Sequence, residues 1–92
     1  MYRLAVTFTA LDGKREEFVA RLKSEGILDA IRNEEGCIKY DLYYADADPN
    51  VLLLMEEWRS KEDQALHRTL EHMARFRVLK ASLIADTHFA EL

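Results

Sequence analysis

The sequence predicts an α+β fold with element order β-α-β-β-α-β, and three observations carry that prediction. Residues Tyr2 to Thr9 alternate apolar and polar, the period of a half-buried strand. Residues from Lys14 to about Asn33 place apolar side chains at helical spacing. Cys37–Tyr44 and Val51–Arg59 read as two strands separated by a short Asp-rich turn, so they pair as an antiparallel hairpin. A second helical region and a last strand complete a ferredoxin-like sandwich, an antiparallel sheet with helices on one face. The 92 residues make a single domain spanning 1–92.

In the first strand Leu4, Val6 and Phe8 face one way, and Arg3, Thr7 and Thr9 the other. Leu11-Asp12-Gly13 closes it, with Asp12 suited to cap a helix that begins at Lys14. Phe18, Val19, Leu22, Leu28 and Ile31 form that helix's apolar stripe, and Gly26 within it marks a kink or a close backbone approach. Gly36 suits the left-handed conformation of a helix exit. Strict alternation along Cys37–Tyr44 puts Ile38, Tyr40, Leu42 and Tyr44 on one face and Cys37, Lys39, Asp41 and Tyr43 on the other. The turn Asp46-Ala47-Asp48-Pro49-Asn50 leads into Val51–Met55, a continuous apolar run that suits a central strand. Ser60-Lys61-Glu62-Asp63 reads as a capping box opening a short helix to about His67 or Arg68. Thr69 reads as the cap of the last helix, whose inward face holds Leu70, Met73, Phe76, Leu79 and Leu83, and Asp86–Leu92 as the last strand.

Composition narrows the function classes. Acidic residues outnumber basic ones, 17 to 13, for a net charge of −4. Nucleic-acid affinity comes largely from neutralising phosphates, so this balance argues against nucleic acid. The densest basic stretch is Arg68, Arg75, Arg77 and Lys80, which reads as a solvated helix face. No apolar run approaches the roughly 18 residues of a membrane span, and no charged-then-apolar leader follows Met1, so no membrane partner is expected. Cys37 is the single cysteine, which excludes an internal disulfide or a cysteine zinc cluster and suits a cytoplasmic location. Val51, Leu53 and Met55 lie opposite Leu52 and Leu54, so both sheet faces are apolar while helices cover only one. A bare apolar face several strands wide is avoided by soluble monomers, and a homodimer joined through its sheet faces is the expected solution.

Glu35-Gly36-Cys37, Glu56-Glu57-Trp58 followed by Ser60, and His67 with His72 five residues on together form a recognisable pattern. Through it the chain resembles the antibiotic-biosynthesis monooxygenase (ABM) family of the dimeric α/β-barrel superfamily, nearly end to end. The resemblance implies a homodimer with two sheets packed face to face and a pocket between each sheet and its helices. It further implies oxygenation of a phenolic or quinol-like aromatic small molecule without metal or other cofactor. Other relatives degrade haem or metabolise a bacterial signalling molecule. Haem degraders carry an Asn on the first strand, where this chain reads Leu4-Ala5-Val6-Thr7-Phe8, and a Trp on the helical segment, where it has none. A polyketide-oxidising relative has an assisting Asn on the Trp-bearing strand, where this chain offers Leu54 and Glu56.

Cofactor-free oxygenation needs a base, a holder for the resulting anion and a dry pocket. His72 is the candidate catalytic base: it titrates near neutrality, and the helix N-terminus beside it disfavours the imidazolium. Trp58 is a candidate pocket wall able to stack on an aromatic ligand. Of Glu56 and Glu57 one faces inward, where a carboxylate needs a partner or a proton; His67, His72 and Arg75 are available. His67 reads first as a capping or packing residue and second as a ligand contact. Met73 and Phe76 are core that doubles as pocket wall, and Arg75 is a candidate holder for an anionic substrate. The competing expectations are an isomerase or degradation enzyme for a small carbonyl signal molecule, and a non-catalytic ligand-binding dimer.

Overall fold

In the computed structural model, which describes residues 1–92, four strands form one sheet in the order β2-β3-β1-β4. Along the chain these are β1 (Tyr2–Ala10), α1 (Arg15–Ser24), α2 (Ile27–Arg32), β2 (Cys37–Tyr44), β3 (Val51–Trp58), α3 (Lys61–His67), α4 (Glu71–Leu83) and β4 (Ile84–Glu91). All neighbouring strands are antiparallel, which is the ferredoxin-like arrangement the sequence predicts. Leu4 opposes Glu56, Val6 opposes Leu54 and Phe8 opposes Leu52, so the two central strands turn the same alternate set toward the helices. Phe18, Leu22, Ile27 and Ile31 from α1 and α2 meet that set with no exposed surface. Phe76 of α4 joins Phe8 and Phe18 in a three-ring cluster with centroids 5.6 to 6.2 Å apart. Val51, Leu53 and Met55 lie half-buried on the other face.

Three local expectations are corrected. The single helix over 14–33 is two, because Gly26 adopts φ 74° and turns the chain so that Ile27 enters the core. Asp12 does not cap α1; its Oδ1 accepts from Asn50 Nδ2 at 3.2 Å and ties the β1–α1 loop to the Asp-rich turn. Thr69 does not cap α4, whose N-cap is Leu70; its hydroxyl donates to the Leu66 carbonyl at 2.7 Å, closing α3 instead.

A fourth correction bears on the site. The β2–β3 register slips between Cys37 and Lys39, leaving Ile38 as the extra residue of a bulge. Strict alternation therefore fails at the start of β2. Ile38 is 53% exposed, whereas Cys37 lies opposite Trp58 and packs against the core. Beyond the bulge Tyr40 opposes Glu56, so both face the helices. No helix is long and apolar enough to cross a membrane.

Candidate functional site

The inner end of β3 alternates Leu54, Glu56, Trp58, so a carboxyl and an indole follow the aliphatic core into the same layer. Trp58 Nε1 donates to Glu56 Oε1 at 2.9 Å, and the indole has no exposed surface. Burial raises the Glu56 pKa above its ordinary 4.5, against the indole N–H and the nearby Arg68 charge, both of which favour the carboxylate. Tyr40, fully buried across the strand pair, is pushed well above 10 by the same desolvation and by the charges of Glu56 and Glu34. Of the adjacent glutamates Glu56 is therefore the inward one, and Glu57 pairs with Arg3 on the outer face.

The capping box after β3 fixes what comes next. Asp63 N–H donates to Ser60 Oγ at 3.1 Å, while the Asp63 carboxylate turns to Arg59 rather than back to the cap. This start places Gln64 and His67, three residues apart, on the buried side of α3. The His67 ring lies with its centroid 4.6 Å from Trp58 and 5.8 Å from Tyr40. Its Nδ1 is 2.8 Å from Glu34 Oε2, and His72 Nε2 is 2.7 Å from that same oxygen. Glu34 reaches this point from the α2–β2 loop, where Gly36 takes φ 90°. A Cβ on Gly36 would come within 2.6 Å of the Asp63 side chain, so the loop lies directly against α3.

Both imidazoles contact one carboxylate oxygen, so the simplest assignment has each ring donating an N–H to it. Desolvation lowers the His67 pKa below 6.5, although Glu34 opposes the shift, and the ring is therefore neutral at pH 7. With Nδ1 protonated toward Glu34, the lone pair of His67 lies on Nε2. That atom has no partner in the chain, and no side-chain nitrogen or oxygen sealed from solvent lacks one, so Nε2 opens onto reachable space.

The space is a cavity of about 160 Å³ between the sheet and the helices α3 and α4. Val6, Phe8, Leu54, Met73 and Phe76 make its apolar wall, and Phe89 of β4 stands at its edge, 60% exposed. Tyr40, Glu56, Gln64 and His67 supply its inner polar groups, and Arg68, Arg77 and Lys80 its cations. A larger groove of about 310 Å³, flanked by Val19, Leu28 and Tyr43, has one carboxylate, Asp41, already paired with Arg32 at 3.8 Å. The smaller cavity is the one with convergent chemistry.

The residues singled out from sequence distribute unequally around it. Glu56, His67, Met73 and Phe76 line the cavity. Trp58 does not; it supports His67 and Glu56 from behind. His72 lies one residue further out, across Glu34 from His67. Arg75 points elsewhere, its Nη1 donating to the Glu25 carbonyl at 2.9 Å and its Nε pairing with Glu71. The sequence reading leaves out Glu34, Gln64 and Phe89. Nothing local in the sequence signals Glu34, which lies 33 residues from His67 and 38 from His72.

Glu34, His67 and His72 bring one carboxylate oxygen and two ring nitrogens within 4.8 Å of one another, a composition that divalent metals use. Here each imidazole nitrogen already lies at hydrogen-bonding distance from the same oxygen, so a metal would replace two bonds that are made.

Residues 1–79 match the family profile described as antibiotic biosynthesis monooxygenase. A Bacillus subtilis protein named "Putative monooxygenase YcnE" is 30% identical over 63 residues, 68% of this chain and 64% of that protein. The chain spans less than two thirds of the length of the curated relatives it matches. Among solved structures, PA3566 from Pseudomonas aeruginosa superposes with a TM-score of 0.86 at 27% identity, covering 99% of this chain and 90% of that one. A Nitrosomonas europaea protein described as "Putative antibiotic biosynthesis monooxygenase" superposes with a TM-score of 0.89 at 21% identity, covering 99% and 86%.

Proposed function

From the premise that the chain belongs to the antibiotic biosynthesis monooxygenase family, we propose that it oxidises a phenolic or quinol-like small molecule with O2. The observation that carries the reading is His67, held through Nδ1 by Glu34 at 2.8 Å while its ring lines a largely apolar cavity. In this reading the proton acceptor is His67. His72 acts through it as a positioning residue: with His67 it shares the Glu34 oxygen, and its side chain retains 14% exposure, which gives the proton a route to solvent.

The chemistry balances without a further reagent. Nε2 takes the phenolic proton, and the phenolate passes one electron to O2. Recombination of the two radicals forms a carbon–oxygen bond and a ring peroxide anion, which takes back the proton held on His67 to become the hydroperoxide. His67 then removes the hydrogen of the oxygenated ring carbon as the O–O bond breaks, and the departing hydroxide takes up that proton, leaving a quinone and one water. Apolar walls from Phe8, Met73 and Phe76 keep bulk water from competing with that sequence.

Oxygen uptake with a panel of hydroquinones and naphthols tests the proposal. Consumption by the wild-type protein, lost in His67→Gln and reduced with a displaced pH profile in His72→Gln, is the expected result. No uptake with any member overturns the oxygenase reading, and substrate turnover without O2 would assign an isomerase in its place.

The same reading includes a homodimer through the outer sheet face, because no element of the chain covers Val51, Leu53 and Met55. Sedimentation should report about twice the 10.7 kDa chain mass; a monomer alone overturns it.

A further inference from the structure

The arginines of this chain divide into two groups. Arg3, Arg15, Arg21, Arg32, Arg59 and Arg75 each lie within 4 Å of a carboxylate. Arg68 and Arg77 do not, and both line the cavity. Lys23, Lys39, Lys61 and Lys80 likewise have no carboxylate within 4 Å, so what sets these two arginines apart from the other six is their shared place on the cavity.

Neutral acceptors hold them in place. Arg68 Nη1 donates to Gln64 Oε1 at 2.7 Å, and Gln64 is itself buried in the cavity wall. Arg77 Nη1 donates to the Arg68 carbonyl at 3.2 Å, which brings the second guanidinium beside the first residue. Lys80, one turn further along α4, places its Nζ 5.9 Å from the Phe8 ring centroid. Three cations therefore border a space whose one lining carboxyl group is Glu56. Even with Glu56 ionised the lining keeps an excess of positive charge, and an anion entering the cavity relieves repulsion among like charges. A guanidinium fork matches a carboxylate in shape as well as in charge.

The rest of the cavity limits what carries that anion. Its volume of about 160 Å³ is that of an apolar site which admits a single benzene-sized ring. Phe8 and Phe76 offer aromatic faces, and Tyr40 and His67 polar atoms at the inner end. We propose that the cavity binds a one-ring aromatic acid, its carboxylate held by Arg68, Arg77 and Lys80 and its ring against Phe8 and Phe76. A ring hydroxyl para to the acid then reaches toward His67. This names a substrate class for the site of the preceding section and rests on the same cavity, but it does not require that O2 react there.

Anaerobic calorimetric titration separates the two ideas. The probes are 4-hydroxybenzoate, its methyl ester and hydroquinone, added to the wild-type protein, to Arg68→Gln/Arg77→Gln and to Arg75→Gln. The acid is expected to bind the wild type at least about tenfold more tightly than the ester, the range of charge-assisted hydrogen bonds. That preference should vanish in the double variant while ester binding stays unchanged, and persist in Arg75→Gln, whose guanidinium lies outside the cavity. Equal binding of acid and ester, binding of neither, or a preference that survives the double variant overturns the proposal. Oxygen uptake from neutral quinols with no acid preference would sink this inference and leave the oxygenase reading standing; acid binding without uptake would do the reverse.

Discussion

The layer between sheet and helices has two halves that solve the same burial problem differently. Under α1 and α4, Phe8, Phe18 and Phe76 cluster with Leu22 and Ile31, and the core of this half is held by apolar packing. Under α3, Trp58, Glu56, His67 and Glu34 close by hydrogen bonds between partners drawn from β3, α3 and the α2–β2 loop. Packing can fill space without direction, whereas a hydrogen-bonded half fixes side-chain geometry and leaves a gap where no partner reaches. The cavity lies on the boundary between the halves, which is where an aromatic ring and a polar atom of one ligand can both be satisfied.

The largest expected effect breaks the packed half. Phe18→Ala removes a ring with no exposed surface, at the hub of the aromatic cluster, and should cost about 3–5 kcal/mol of unfolding free energy in denaturant titration. Oxidation or ligand binding per folded molecule should change far less, since Phe18 does not line the cavity. A smaller effect is expected where the hydrogen-bonded half meets its loop. Gly36→Ala puts a Cβ at φ 90° and against Asp63, costing about 1–3 kcal/mol from backbone strain alone. It should also displace Glu34, so the His67 pKa measured by NMR should change as well. A stability loss with the His67 titration unmoved would separate the loop from the site.

These cases also show how much the sequence discloses. Fold class and the order of elements along the chain follow from period and turn chemistry, and Leu4, Val6, Phe8, Leu52 and Leu54 all face inward as alternation requires. Alternation fails at Ile38 because a bulge is a register event between two strands, and neither strand's own pattern contains it. The histidines are visible as rare residues, but their ranking is not. His72 looks favourable for its helix start, while the residue on the cavity is His67, whose position depends on Glu34 arriving from 33 residues away. Arg68 and Arg77 are exposed, as the sequence reads them, but their shared place on the cavity and their lack of acidic partners are three-dimensional facts. Local order is written in local pattern, and the site is assembled from segments whose meeting is not.

The smallest expected effect is a pair of opposed pH dependences within the hydrogen-bonded half. Glu56 has a folded pKa above 4.5, so the unfolded chain loses that proton first and stability falls as pH rises from 4.5 through the folded value. His67 has a folded pKa below 6.5, so the unfolded chain gains its proton first and stability falls as pH drops below 6.5. Urea midpoints measured across this range should therefore show less decline on the alkaline side in Glu56→Gln, which keeps the oxygen that accepts from Trp58. An unchanged profile would mean that Glu56 is not held protonated by burial.

The measurement closest to the central claim is the protonation state of His67 itself. Long-range nitrogen–carbon-proton correlation in 15N-labelled protein at pH 7 distinguishes the two neutral tautomers and the imidazolium. A neutral ring with its proton on Nδ1, facing Glu34, and a bare Nε2 toward the cavity is the expected result. A charged ring, or a neutral ring protonated on Nε2, would contradict the account, because neither leaves a base where a ligand can reach it.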